Sequence, residues 1–237
     1  MKILVVNDDS IHAPGIALLA KAAMELGEVY VVAPAEQCSA MSQKLTIRGT
    51  LEVKQVDFPV PVKAAYSVSG TPADCIKVAL YYIMKEKPDF VFSGINDGYN
   101  AGFDIAYSGT LGAAFEARMN GIPAIAFSSA GRKPMTVAEQ QLVQVAKELV
   151  AAPLGEGEVW NVNFPAENCK GILRQRTVAH IPMYNEKYTV VEKTEGRVLL
   201  ESCGYPLPKD APVPEGTDVE ALRMGYISIG TVKNAVL

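Results

Sequence analysis

The sequence predicts an α/β protein: a mostly parallel sheet covered by helices on both faces, followed by a β-rich C-terminal extension. Two observations predict it. Short β-branched apolar runs alternate with segments of helical periodicity through residues 1–165, and strands joined by helical crossovers run parallel. That rhythm then gives way, over residues 166–237, to patches of strand-like sequence. The division is a core over 1–165, interrupted by a hairpin insertion at about 45–68, and an extension over 166–237 suited to oligomerisation.

Each element has its own reason. Lys2–Val6 (KILVV) is a short apolar run, as expected of a strand buried on both faces. From Pro14 to Leu26, Ile16, Leu18, Leu19, Ala22, Ala23 and Leu26 recur at helical spacing. Pro14 suits the first helical turn and Gly27 the stop. Val29–Ala33 is a second apolar strand. Between Leu45 and Val68, the alternation of Leu51–Val56 and prolines at 59 and 61 predict an antiparallel hairpin. Thr71–Met84 begins with an N-cap threonine and a first-turn acid, Asp74, and reads as a helix. Asp89–Ile95, Thr110–Asn120, Ile122–Phe127 and Val137–Val150 continue as strand, helix, strand, helix, and Val159–Phe164 is one more strand. In the extension, Tyr188–Glu192 and Arg197–Glu201 flank a turn at Thr194-Glu195-Gly196, and a loop carrying Pro206, Pro208, Pro212 and Pro214 follows.

Composition excludes several classes of function. Of the 237 residues 49% are hydrophobic, which rules out wholesale disorder. Lys+Arg 22 against Asp+Glu 26 gives a net charge of −4, without the basic footprint that duplex nucleic acid requires. A single nucleotide remains admissible as a ligand. The apolar stretch Ile3–Val6 ends at Asn7-Asp8-Asp9, far short of the roughly 7–15 residues of a signal peptide core or the 18 of a membrane span. A cytoplasmic protein without membrane association is the expectation. Cys38, Cys75, Cys169 and Cys203 form no C-x-x-C pair and have only His12 and His180 to assist them. They read as free thiols in a reducing compartment.

In open parallel sheets, ligands bind outside the carboxyl ends of the strands. After the first strand come Asn7, Asp8 and Asp9; after the second come Pro34, Glu36, Gln37 and Ser39. After the strand ending near Ile95 come Asn96, Asp97, Gly98, Asn100 and Gly102, then Ser108-Gly109-Thr110. Adjacent carboxylates repel unless a cation or proton intervenes. A hard divalent ion fits Asp8 and Asp9, and Ser39 and Asn96 offer neutral oxygens from neighbouring loops. Asp8-Asp9 alone would suit an Asx-turn or a helix cap; the convergence of three loops favours the metal. Ser108-Gly109-Thr110 opens a helix, so its backbone N–H groups suit a phosphate, although simple capping explains the same residues. The glycines between Gly94 and Gly102 either permit positive φ or let a ligand approach.

Elimination narrows the chemistry. There is no G-x-G-x-x-G after the first strand, no Walker lysine, no G-x-S-x-G, no Cys–His pair and no Asp-x-Asp. His12 near the acids carries little weight by itself, and Tyr99 and Tyr107 suit stacking on a base no better than ordinary packing. Metal-assisted hydrolysis survives.

Taken together, the motifs resemble the SurE (survival protein E) family of metal-dependent nucleotidases. The resemblance rests on Asn7-Asp8-Asp9 with Ala13–Ile16, Val32-Ala33-Pro34 with Ser39, Ser42 and Thr46, and Ser69–Cys75. It continues through Ser93–Asn96 with Gly98, Asn100 and Gly102, Tyr107–Thr110, Gly121–Ala126, Asn161–Pro165, Gly216–Asp218 and Gly225–Ile229. It implies a Rossmann-like core and a C-terminal β extension exchanged between subunits, giving a homodimer or homotetramer. It implies one divalent ion per subunit, Mg²⁺, Mn²⁺ or similar, held by Asp8, Asp9, Ser39 and Asn96. The implied reaction is hydrolysis of nucleoside 5′- and 3′-monophosphates, with short-chain polyphosphate as a further substrate. The expected chemistry is attack of a metal-bound water on phosphorus. Asp9 is chosen to relay the proton, and Asn100, Ser108, Gly109 and Thr110 grip the phosphate. The alternatives are a broad-specificity phosphomonoesterase and a nucleotide-binding module without turnover. The chain also departs from the family pattern, which has glycine at the positions of Ser10 and Ala40 and an Asp-Arg pair where Ala35 and Glu36 stand. Its tail after Ile229 lacks the usual Thr-Pro ending.

Overall fold

The computed structural model describes residues 1–131 and 134–234. The last three residues of the divergent tail, 235–237, lie outside the described residues. The first half runs β1 (Lys2–Val6), α1 (Pro14–Ala23), β2 (Glu28–Pro34), β3 (Val53–Gln55), β4 (Ala64–Val68), α2 (Pro72–Val78), β5 (Phe90–Asp97), α3 (Gly109–Met119) and β6 (Ala124–Ser129). Next come α4 (Thr136–Ala151), β7 (Glu158–Phe164), β8 (Ile172–Leu173), β9 (Tyr184–Asn185), β10 (Tyr188–Thr194), β11 (Arg197–Ser202), β12 (Tyr205–Pro206), α5 (Asp218–Arg223) and β13 (Ile227–Lys233).

The main sheet has nine strands in the order β3-β4-β2-β1-β5-β6-β7-β13-β8. From β4 to β7 every neighbouring pair is parallel, and the antiparallel pairs are β3 with β4 and β13 with β7. Alternation along β1 shows why both faces are covered. Ile3 and Val5 enter one core with Ile16 and Leu19 of α1 and Val145 of α4, while Leu4 and Val6 enter another with Ile76 of α2 and Leu111 of α3. In the first core Phe92 meets Phe127 edge-on at 5.6 Å and Phe127 stacks on Phe164 at 6.3 Å. Truncating one of these rings to alanine would cost about 3–5 kcal/mol.

Several boundaries differ from the sequence expectation. The first helix stops at Ala23, and the chain turns through residues 24–26 before reaching Gly27. α2 begins as expected at the N-cap Thr71, with a reciprocal capping box to Asp74, but its last turn widens into a π-helical turn over Ala79–Ile83. The pair β3–β4 is antiparallel, yet β4 also pairs in parallel with β2, so this segment extends the main sheet. The described residues of the extension, 166–234, divide as well. β10 and β11 form a separate ribbon, β9 and β12 another, whereas β8 and β13 return to the main sheet beside β7. Hydrophobic Ile227 and Ile229 on β13 bury fully against the α1/α4 core, which explains the return.

Candidate active site

The order β2-β1-β5 contains the point where the chain, having built strands on one side of β1, crosses to build them on the other. A crevice opens at such a point, at the carboxyl ends of the strands. Asp8 and Asp9 leave β1 there, and Asn96 and Asp97 end β5 beside them. Gly15 makes the close approach of α1 possible, because a Cβ on it would lie 2.2 Å from the Ile95 carbonyl oxygen.

Hydrogen bonds tie four segments together at this crevice. The Asp97 N–H donates to Asp9 Oδ2 at 2.9 Å, joining the β1 and β5 loops. The Cys38 N–H donates to the Asp8 carbonyl at 2.7 Å, joining the β2 loop. The Gln37 amide donates to Ser39 Oγ at 3.0 Å and, at a longer 3.5 Å, to Asp9 Oδ1. The Thr110 hydroxyl donates to Asp8 Oδ1 at 2.6 Å, joining helix α3. Gly109 lies so near that a Cβ on it would be 2.9 Å from both Asp8 Cβ and Oδ2. Beside Asp9 a cavity of about 270 Å³ is lined by Gln37, Asp97, Ala13, Pro14 and Met135.

Burial governs the charge state of the acids. Asp8 is 3% exposed. Desolvation pushes its carboxyl up to about 6 against the lowering effect of the Thr110 hydrogen bond, and the neighbouring Asp9 adds to the rise. Asp9 is raised too, chiefly by burial, while the Asp97 N–H acts in the opposite direction. Two raised carboxylates side by side form a site that a proton or a cation satisfies. Among the described residues no three His, Cys, Asp or Glu side chains cluster for a metal. The donor set is therefore two carboxylates plus neutral oxygens. Asn96 spends its amide nitrogen on the Gly98 carbonyl at 2.9 Å, so Oδ1 is the atom it could offer a cation.

The remaining sequence candidates sit differently. Ser108 is the N-cap of α3, its Oγ accepting from the Leu111 N–H at 3.1 Å. Thr110 is fully buried and spends its hydroxyl on Asp8, so its side chain acts on the carboxylate rather than on a ligand. Asn100 is enclosed among Asn161, Asn163 and Ser128 and spends its hydrogen bonds on them. His12 is exposed, and only its backbone engages Ser10 Oγ, at 3.4 Å. Tyr107 is exposed, whereas burial pushes the Tyr99 hydroxyl up to about 12. Sequence reasoning gave no role to Gln37, Asn161 or Asn163. Asparagines alternating within the apolar strand β7 were the available signal for the last two, because a buried amide needs partners.

Ser10 and Ala40, the two departures from glycine, adopt φ of 95° and 57°. Both are in the region glycine enters freely and other residues enter at a cost.

The fold and this crevice define an α/β protein with a candidate ligand site at the switch point of a doubly wound sheet, where paired carboxylates face a helix N-terminus. The sequence model of the family described as Survival protein SurE matches residues 3–184. A protein named 5′-nucleotidase SurE from Flavobacterium psychrophilum is 38% identical, over 98% of this chain and 91% of its own length. Its namesake from Cytophaga hutchinsonii is 41% identical, over 96% and 88% respectively. The crystal structure of the SurE protein from Aquifex aeolicus superposes with a TM-score of 0.82 at 35% identity, covering 98% of this chain and 93% of that one. The chain belongs to the SurE family.

Proposed function

We propose that this chain hydrolyses nucleoside monophosphates, both 5′ and 3′, to nucleoside and phosphate with the help of one divalent cation. The observation that carries the reading is the Asp8–Asp9 pair held against the N-terminus of α3 in a family whose curated members are named 5′-nucleotidases. The donor set fits a hard cation such as Mg²⁺ or Mn²⁺: Asp8, Asp9, Ser39 and Asn96 offer only oxygen, and the raised carboxylates gain most from a positive charge between them. When bound, such an ion supplies the positive charge that keeps both acids ionised and polarises the phosphoryl oxygens.

The chain's own residues do the rest. Thr110 fixes the rotamer of Asp8. The Asp97 N–H occupies Asp9 Oδ2, so Oδ1, met among the described residues by the long Gln37 contact, is the oxygen available to accept a proton from an attacking water. The first-turn N–H groups of α3, beginning at Gly109, have no helical partner and favour phosphate by dipole and hydrogen bond. Ser108 holds that helix end in shape by capping it, and Asn100 braces the loop opposite.

A homo-oligomer completes the proposal. Both faces of the β10–β11 ribbon are exposed, including Val190, Val191, Leu199 and Leu200. A lone two-stranded ribbon is marginal in water, so a second copy of the chain is its natural cover. Light scattering at micromolar concentration would show a dimer or tetramer; a stable monomer would refute this part. The free cysteines suit a reducing cytoplasm. Among the described residues no helix is long and apolar enough to cross a membrane.

The test is phosphate release from a panel of nucleoside 5′- and 3′-monophosphates, sugar phosphates and tripolyphosphate, with Mn²⁺ or Mg²⁺ and again with EDTA. Release that EDTA abolishes, strongest on nucleotides, is expected. Equal rates on sugar phosphates would make it a broad phosphomonoesterase, and silence across the panel in folded, metal-loaded protein would reject hydrolysis.

A further inference from the structure

The end of β5 carries Asn96 to the crevice, yet the bonds that immobilise the loop leading on from it come from two neighbouring strands. Asn163 Oδ1 accepts from the Asn100 N–H at 2.9 Å, and its Nδ2 donates to the Asn100 carbonyl at 3.0 Å. Asn161 Nδ2 donates to the same carbonyl at 2.9 Å. Residues two apart on a strand share a face, so both asparagines of β7 reach one peptide. β6 adds Ser128, whose Oγ accepts from Asn100 Nδ2 at 2.8 Å, and the Ser129 carbonyl, which accepts from the Gly98 N–H at 3.0 Å. Gly98 in turn accepts the Asn96 amide.

We propose that Asn161 and Asn163 are positioning residues for the cation site: by clamping both ends of the Asn100 residue they fix the 96–100 loop, and with it the direction of Asn96 Oδ1 and the Asp97 N–H held by Asp9. This rests on the reading of the crevice as a metal-dependent nucleotidase site. An amide is suited to the task because it presents an acceptor and a donor in one planar, uncharged fork. A carboxylate could accept from Asn100 but not donate to its carbonyl, and would bring another negative charge toward Asp8 and Asp9. Both asparagines are buried, Asn163 completely. Neither has ordinary packing value on an apolar strand, since a buried amide stabilises little beyond satisfying its own bonds.

The test compares wild type, Asn161→Leu, Asn163→Leu and Asn163→Ser, with Leu149→Ala as a control. Leu149 is a buried side chain of α4 in the core cluster shared with α1. The control loses stability without altering any bond to the 96–100 loop. Mn²⁺ affinity and the line shape of bound Mn²⁺ are read by electron paramagnetic resonance, alongside melting temperature and the separate kcat and KM for a nucleoside monophosphate. Loss of a group that orients a metal ligand typically weakens metal binding about 10–100-fold. The asparagine variants are expected to weaken Mn²⁺ by at least about tenfold and alter the line shape, whereas Leu149→Ala keeps wild-type Mn²⁺ binding at a comparable melting temperature. Folded asparagine variants with wild-type affinity, line shape and kcat overturn the inference, and so does an equal loss in Leu149→Ala. If the leucine variants do not fold, Ser128→Ala removes one bond from the same loop and carries the same comparison: a smaller but measurable weakening supports the inference, and none overturns it. Wild type that binds no Mn²⁺ and releases no phosphate overturns the nucleotidase reading itself, an outcome distinct from the others.

Discussion

Thr110 donates its hydroxyl to Asp8 Oδ1 at 2.6 Å in a place neither residue shares with bulk solvent. The Thr110 carbonyl is itself held by Ser93 Oγ of β5 at 2.8 Å, so the first turn of α3 is tied both to the end of β1 and to β5. This relationship makes the helix N-terminus and the acid pair one rigid unit.

Thr110→Val keeps shape but removes the donor. Mn²⁺ affinity should drop by about 10–100-fold, the range typical for loss of a group bonded to a metal ligand. Thr110→Ser retains the hydroxyl and should stay within a few-fold of wild type. Calorimetric titration with Mn²⁺ separates the two, and equal affinities would remove Thr110 from this role.

Gly109→Ala tests the close approach. The added methyl would sit 2.9 Å from Asp8 Oδ2, so Asp8 must turn or the helix must retreat. Overpacking of this kind costs about 1–3 kcal/mol, measurable by urea denaturation, and turnover should fall much further than stability.

Asp8 makes metal-free stability depend on pH in a defined direction. Its folded carboxyl titrates near about 6 and its unfolded one near 3.8, so the folded state holds the extra proton between those values. Stability of the metal-free protein therefore declines as pH rises through that window. Asp8→Asn should remove the Asp8 share of this decline, leaving the share of Asp9, whose carboxyl is raised as well, and be more stable than metal-free wild type at about pH 7.5, by roughly 2–3 kcal/mol. It should gain nothing from added Mn²⁺. Denaturation curves with EDTA at about pH 5 and about pH 7.5 decide the matter.

Asp74 behaves oppositely. Burial raises it, but hydrogen bonds from the backbones and hydroxyls of Thr46 and Thr71 outweigh burial and hold it below the usual carboxylate range. Its contribution is present above the unfolded value of 3.8 and is lost as pH falls through the lower folded value. Asp74→Ala leaves the buried Thr71 donors unpaired and should cost about 2 kcal/mol at neutral pH, read as a lower denaturation midpoint.

Ser10→Gly relieves a φ of 95° that a side chain occupies only with strain. The gain is partly offset by the greater freedom of glycine in the unfolded chain, leaving about 1 kcal/mol of stabilisation. Ala40→Gly, at φ 57°, lies in the milder left-handed well and should be close to neutral. Thermal melts of the two single variants test the contrast.

Much of this molecule is legible in the chain. KILVV reads as a strand because a doubly covered strand needs apolar residues on both faces, and Lys2–Val6 is that strand. Thr71 with Asp74 reads as a helix start because capping is local chemistry, and the capping box is present. The oxygen-rich residues Asp8, Asp9, Ser39 and Asn96 lie at or just beyond the ends of three different strands, and adjacency at a strand end needs no distant information. The exit of Ile227 and Ile229 from the extension into the main sheet was not legible. Strand-like sequence does not name its partner.

The sequence by itself determined the alternation of strands and helices, the oxygen-rich carboxyl edge and the family, because these follow from periodicity, capping and residue order. Only the tertiary structure decided what each polar group spends its bonds on. Thr110 spends its hydroxyl on Asp8, Asn100 is the clamped centre of an amide cluster, and Gln37 bridges Asp9 and Ser39. The reason is that a buried polar atom must find a partner, and for these residues the partners lie on other strands or on a neighbouring loop, in positions that exist only once the sheet has formed.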